Sequence, residues 1–93
     1  MVRHIVMWNL KEENKEENAA TIKKALEALV GQIEGMRFAQ VGRCYQGYDL
    51  CLYSEFDSRE AVEFYREHPL HKAAQKMVHG AIIERVSSDF EAD

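Results

Sequence analysis

An α+β fold, in which helices cover one face of a four-stranded antiparallel sheet, is what this 93-residue chain predicts. Three observations carry that expectation. Val2, Val6, Trp8 and Leu10 fall on one face of an extended segment and Ile5 and Met7 on the other, the two-residue period of a strand. Ala19, Ile22, Leu26, Leu29 and Ile33 then recur at three- and four-residue steps, the period of a helix with one buried stripe. Segments of these two kinds alternate along a chain too short for a second core.

The elements follow in order. Val2 to Leu10 is the first strand. Asn14 followed by Glu17 resembles a capping box and opens a helix carrying the apolar stripe, which Gly35 is placed to stop. Met36 to Tyr45 and Tyr48 to Phe56 form a hairpin around Gln46-Gly47, with the glycine second in the turn. Asp57 with Glu60 caps a second helix running through Glu67. Pro69 cannot continue that helix but suits the first turn of a third one, through His79, which Gly80 closes. Ala81 to Phe90 is the last strand, followed by a polar tail. The order β-α-β-β-α(α)-β is the split βαβ, or ferredoxin-like, pattern, and it fills a single domain spanning residues 1–93.

Composition narrows the partners. A formal net charge of −4 argues against nucleic acid and anionic membrane surfaces, which need a basic face. No apolar run approaches the roughly 20 residues that span a bilayer, and Met1 to Ile5 does not read as a signal peptide, so the expected location is the cytoplasm. Cys44 and Cys51 become diagonal neighbours across the hairpin, about 7–8 Å apart at Cα, too far for a disulfide. They read as two reduced, half-buried thiols.

Strand alternation divides the sheet into two apolar sets. Val2, Val6, Trp8, Val41, Leu50, Leu52 and Phe56 face the helices; Ile5, Met7, Phe38, Cys51, Tyr53, Val86 and Phe90 face away. A monomer would leave the second set bare, a larger apolar patch than monomers usually expose. A second copy packed sheet to sheet about a two-fold axis covers it, so a homodimer is expected.

The segment Tyr65-Arg66-Glu67-His68-Pro69-Leu70-His71 puts an aromatic hydroxyl and two imidazoles at the proline bend. His71, with an unperturbed pKa near 6.5, can accept and return a proton at neutral pH. Tyr65 can donate a hydrogen bond to a developing enolate, and Asp89 can orient the His71 ring. His4 lies on the helix-facing side of the first strand beside Val6 and Trp8 and lines the same pocket, with Leu50 among the walls. His68 reads as a cap of the third helix, and His79 as a helix-end residue that suits the dipole. His68 and His71 diverge at the bend with no third ligand nearby, so no metal is expected.

With Val2-Arg3-His4-Ile5-Val6, Gly35, Val41-Gly42-Arg43, Tyr48-Asp49-Leu50, Ser54-Glu55-Phe56 and above all Tyr65-x-x-His68-Pro69-x-His71, the chain resembles the stress-responsive A/B barrel domain (Dabb) family over essentially its whole length. The resemblance implies a ferredoxin-like fold that dimerises sheet to sheet into an α/β barrel with the helices outside. Members range from stress-responsive plant proteins to cofactor-free polyketide cyclases of the olivetolic acid cyclase type, and carrying over that cyclase pattern assigns the chemistry to Tyr65 and His71, with Asp89 and His4 beside them. Leu26 and Leu50 stand where that type places polar pocket residues. Two functions follow as expectations: a cofactor-independent cyclase or isomerase moving a proton on a small enolisable compound, or a non-catalytic dimeric module binding a small apolar ligand.

Overall fold

The computed structural model describes residues 1–92. Its elements are β1 (Val2–Leu10), α1 (Lys15–Glu27), β2 (Met36–Arg43), β3 (Leu50–Phe56), α2 (Arg59–Glu67), α3 (Pro69–Ala81) and β4 (Ile82–Glu91). The four strands form one antiparallel sheet in the order β2-β3-β1-β4, the ferredoxin-like topology expected from the order of elements.

β1 is a central strand and sets the two faces. Val2, His4, Val6, Trp8 and Leu10 are buried, while every residue between them is half-buried. β3 repeats the alternation in register: Val6 stands opposite Leu52, His4 opposite Ser54 and Val2 opposite Phe56. The core between this face and the helices is completed by Ile22 and Leu26 of α1, Val62 and Tyr65 of α2, and Val78 and Ala81 of α3. β4 behaves differently. It is an edge strand, and every residue after Ile82 is exposed, because the helices leave it uncovered.

Several local expectations change. Asn14 holds no capping hydrogen bond; it adopts the left-handed conformation (φ 56°), which asparagine tolerates, and so turns the chain into α1 by backbone alone. α1 stops at Glu27, well before Gly35. The chain tightens there through Leu29 N–H to Leu26 O and Val30 N–H to Glu27 O, although Leu29 and Ile33 still reach the core. The end of α1 is anchored instead on the β2 edge, where Glu27 accepts the Val41 N–H (2.9 Å) and Lys23 donates to the Val41 carbonyl (2.8 Å). Gly35 has a separate duty. At φ +89° it lies so close to α2 that a Cβ there would stand 2.7 Å from the Ala61 Cβ.

α2 is capped by Ser58, whose hydroxyl accepts the Ala61 N–H (3.1 Å), because Asp57 is held by both arms of Arg37. His68 does cap α3: its Nδ1 accepts the Leu70 N–H at 3.1 Å. Gly80 lies inside α3 rather than beyond it. Lys11 supplies the helix end, with its ammonium on the Gly80 carbonyl and its N–H on that of Ala81, both at 2.9 Å. The hairpin strands are shorter than expected, though Gly42 pairs with Cys51 and Cys44 N–H reaches Asp49 O as the turn required. Cys44 and Cys51 are free and half-buried. Among the described residues no helix is long and apolar enough to cross a membrane.

Candidate functional site

β1 contributes His4, Val6 and Trp8 to one wall of a cavity, α2 contributes Tyr65, and α3 contributes His71. These five expected residues do come together. The proline bend explains the last two. His68 ends α2 in an extended conformation (ψ 134°), Pro69 restarts the chain as α3, and His71 is thereby turned back over Tyr65, with ring centroids 4.1 Å apart. His4 meets Tyr65 from the sheet side at 6.0 Å.

Each imidazole has one nitrogen committed. His4 Nδ1 donates to Asp89 Oδ1 at 2.5 Å, and Asp89 Oδ2 accepts from Arg66 at 2.8 Å. His71 Nδ1 faces the Arg66 carbonyl at 3.3 Å, and since a carbonyl only accepts, that nitrogen carries the hydrogen. In both rings Nε2 is left as the lone-pair nitrogen. Burial is the main reason that both histidines titrate below their ordinary 6.5, against the upward pull of Asp89 on His4 and of the Arg66 carbonyl on His71. Asp89 is pushed upward by its own burial, but the His4 hydrogen bond and the charges of His4 and Arg66 together hold it below 3.8. The His4–Asp89 contact is therefore a neutral imidazole on an ionised carboxylate.

Two donors in the walls have no acceptor. Burial pushes the Tyr65 hydroxyl up to about 12, so it stays protonated, and it makes no hydrogen bond among the described residues. The buried Trp8 Nε1–H is also without a partner. Buried donors are nearly always satisfied in proteins, and leaving one unpaired costs roughly 1–3 kcal/mol. The site therefore combines two lone-pair nitrogens with the Tyr65 hydroxyl, the pieces needed to hold a carbonyl oxygen and move a nearby proton. The cavity itself is small, about 30 Å³, room for roughly one water or one carbonyl group.

Two expectations need correcting. Asp89 does not orient His71; β4 pairs with β1 so that Asp89 stands directly opposite His4, and it orients that ring instead. Leu50 is outside the cavity. It is buried opposite Trp8 and lines a separate groove under α1 with Ala19 and Val41. Four lining residues carried no earlier expectation of a pocket role: Leu52, Gln75, Val78 and Arg85. His79, read as a helix-end residue, lines it too, and so does Leu26. Among these His79 and Arg85 are exposed, which puts the mouth between α3 and the uncovered β4. Among the described residues no three His, Cys, Asp or Glu side chains gather as a metal set.

The model of the stress responsive A/B barrel domain family matches residues 2–92. No curated protein sequence matches the chain. Among solved structures it is similar to a dimeric protein of unknown function and ferredoxin-like fold from Bacteroides fragilis, at 34% identity and a TM-score of 0.89, covering 98% of this chain and 95% of that one. It is similar to At3g17210 from Arabidopsis thaliana, at 26% identity and a TM-score of 0.90 over 100% and 96% of the two chains. A hydroxynitrile lyase from Passiflora edulis shares the fold at 18% identity and a TM-score of 0.87 over 99% and 93%.

Proposed function

The chain belongs to the stress-responsive A/B barrel domain family, and from that premise we propose that it is a homodimer whose His/Tyr cavity transfers a proton on a small enolisable carbonyl compound without a cofactor. One observation carries the reading: two neutral imidazoles, each with Nε2 uncommitted, share a cavity with the Tyr65 hydroxyl, a donor with no hydrogen-bond partner among the described residues. The substrate carbonyl oxygen takes the Tyr65 hydroxyl. His71 Nε2 removes the proton from the adjacent carbon; the C–H electron pair becomes the enolate double bond, and the charge moves onto the held oxygen. Return of the proton to another carbon gives an isomer. Attack of the enolate carbon on a second carbonyl of the same molecule gives a ring, the chemistry of an olivetolic acid cyclase-type protein.

His4, oriented by Asp89 and through it by Arg66, is the second imidazole and steadies the bound oxygen or the returning proton. Val6 and Trp8 supply the apolar wall. The Passiflora hydroxynitrile lyase is a lyase on the same fold, but for this chain the reading rests on its own side chains. Dimerisation is supported by the uncovered sheet face, where Phe38, Val86 and Phe90 remain 42%, 38% and 52% exposed, and by the dimeric state given for the Bacteroides fragilis protein.

The apolar part of the lining, Val6, Trp8, Leu26, Leu52 and Val78, favours a second reading, a module that binds a small apolar ligand and does no chemistry. Deuterium incorporation next to the carbonyl of a panel of small ketones and 3-oxo acids, followed by proton NMR in D₂O, separates them. Exchange above the buffer rate that disappears in His71→Ala supports proton transfer. Saturable quenching of the Trp8 fluorescence without exchange supports the binding module. Neither signal from any member of the panel rules out both.

A further inference from the structure

The chain is acidic, with 16 Asp and Glu against 12 Lys and Arg, yet among the described residues no carboxylate lines this cavity. Its charged and titratable lining is His4, His71, His79, Tyr65 and Arg85. Asp89, the nearest acid behind His4, is already engaged by that ring and by Arg66. Arg85 stands apart from the other arginines. Arg3, Arg37, Arg43, Arg59 and Arg66 each hold a carboxylate within 4.0 Å, whereas Arg85 holds none among the described residues and touches only the Ser87 hydroxyl at 3.4 Å.

Its position is set by the sheet. β4 pairs with β1 so that Arg85 lies opposite Trp8, the residue whose indole N–H is buried without an acceptor. Its charge is felt deeper as well. After burial, the dominant cause in each case, the Arg85 guanidinium further lowers the titration of His4 and His71 and opposes the rise at Tyr65. The cavity lining thus combines a guanidinium at Arg85 and a phenol O–H at Tyr65, both donors, with no carboxylate among the described lining residues to repel an anion.

We propose that the cavity selects a small carbonyl compound bearing a carboxylate, with the carboxylate on Arg85 and the carbonyl oxygen on the Tyr65 hydroxyl. An arginine suits the task because its planar fork meets a carboxylate with two parallel hydrogen bonds. The inference rests on reading the cavity as a ligand site, but it does not require that the ligand react.

Acetoacetate and acetoacetamide test it, being the same size and shape and differing in charge. Trp8 is the chain's single tryptophan, so its indole N–H gives one unambiguous NMR signal at the site itself. Acetoacetate is expected to move that signal saturably, to bind about tenfold more tightly than acetoacetamide, and to weaken as salt is raised. Arg85→Gln, on an exposed edge strand, should keep the fold and remove the tenfold preference, and Arg85→Lys should restore part of it. Equal affinity for the two probes, an unchanged preference in Arg85→Gln, or no movement of the indole signal by acetoacetate overturns the proposal. Charge-selective binding without deuterium exchange keeps this inference and removes catalysis. Exchange that is indifferent to charge and to Arg85 does the reverse.

Discussion

The two faces of this one sheet break the usual rule of burial in opposite directions. The helix-covered face hides polar groups: His4, Ser54, the Tyr65 hydroxyl above them and the unpaired Trp8 N–H. The uncovered face displays apolar ones, with Phe38 against Tyr53 and with Val86 and Phe90 along β4. Not all the hidden groups are alike. Ser54 is satisfied, donating to the His4 carbonyl at 3.0 Å, and so it fixes strand register and nothing more. The Trp8 N–H is not satisfied, an unsatisfied buried donor being a cost that structure alone does not explain, and the Tyr65 hydroxyl is left free for a ligand. Polar groups stranded in a core mark a site for a ligand, and apolar groups stranded on a surface mark one for another protein chain.

That division can be broken one face at a time. The largest effect is expected from His71→Ala, which removes the proposed base and should abolish deuterium exchange while leaving the dimer intact by light scattering. Met7→Glu puts a charge on the opposite face and should convert the dimer to monomer at micromolar concentration, at a cost of roughly 2–4 kcal/mol read from urea unfolding. If Met7→Glu left the mass unchanged, the uncovered face would not be the interface. Tyr65→Phe removes one donor and should slow exchange by about 10²-fold, with little loss of stability because no hydrogen bond in the protein is broken.

A smaller effect is expected from acid. Because burial holds His4 and His71 below 6.5 in the folded chain, the unfolded chain binds more protons below that pH. Stability should be level above pH 6.5 and fall as the pH drops from there through the two folded values. His4→Gln should flatten that fall in urea melts. A steeper fall in the variant would contradict the assignment.

Much of this was legible in the residues. The period of two in β1 separates the faces, and it correctly puts His4 on the same side as Trp8. The Tyr65-to-His71 spacing across a proline correctly brings those rings together. The partner of Asp89 was harder to read, because a two-residue period gives a face but not a register. Only the β1–β4 pairing puts Asp89 opposite His4, and the same pairing puts Arg85 opposite Trp8. His79 looks like a helix-end residue, and Arg85 is one charged residue within the last strand with nothing in its spacing to mark it. They line the cavity because no helix covers β4, a consequence of topology rather than of composition. The end of α1 was misplaced because Leu29 and Ile33 keep their buried positions after the helix has stopped.

The proposed chemistry depends most on the state of two imidazoles. Long-range ¹H–¹⁵N NMR on ring-labelled protein reports which nitrogen of each histidine carries the hydrogen and where each titrates. His4 and His71 should both hold their hydrogen on Nδ1 and should titrate below 6.5, each offering Nε2 to the cavity as a base. A hydrogen on Nε2 of His71, or titration of both rings above 6.5, would contradict it.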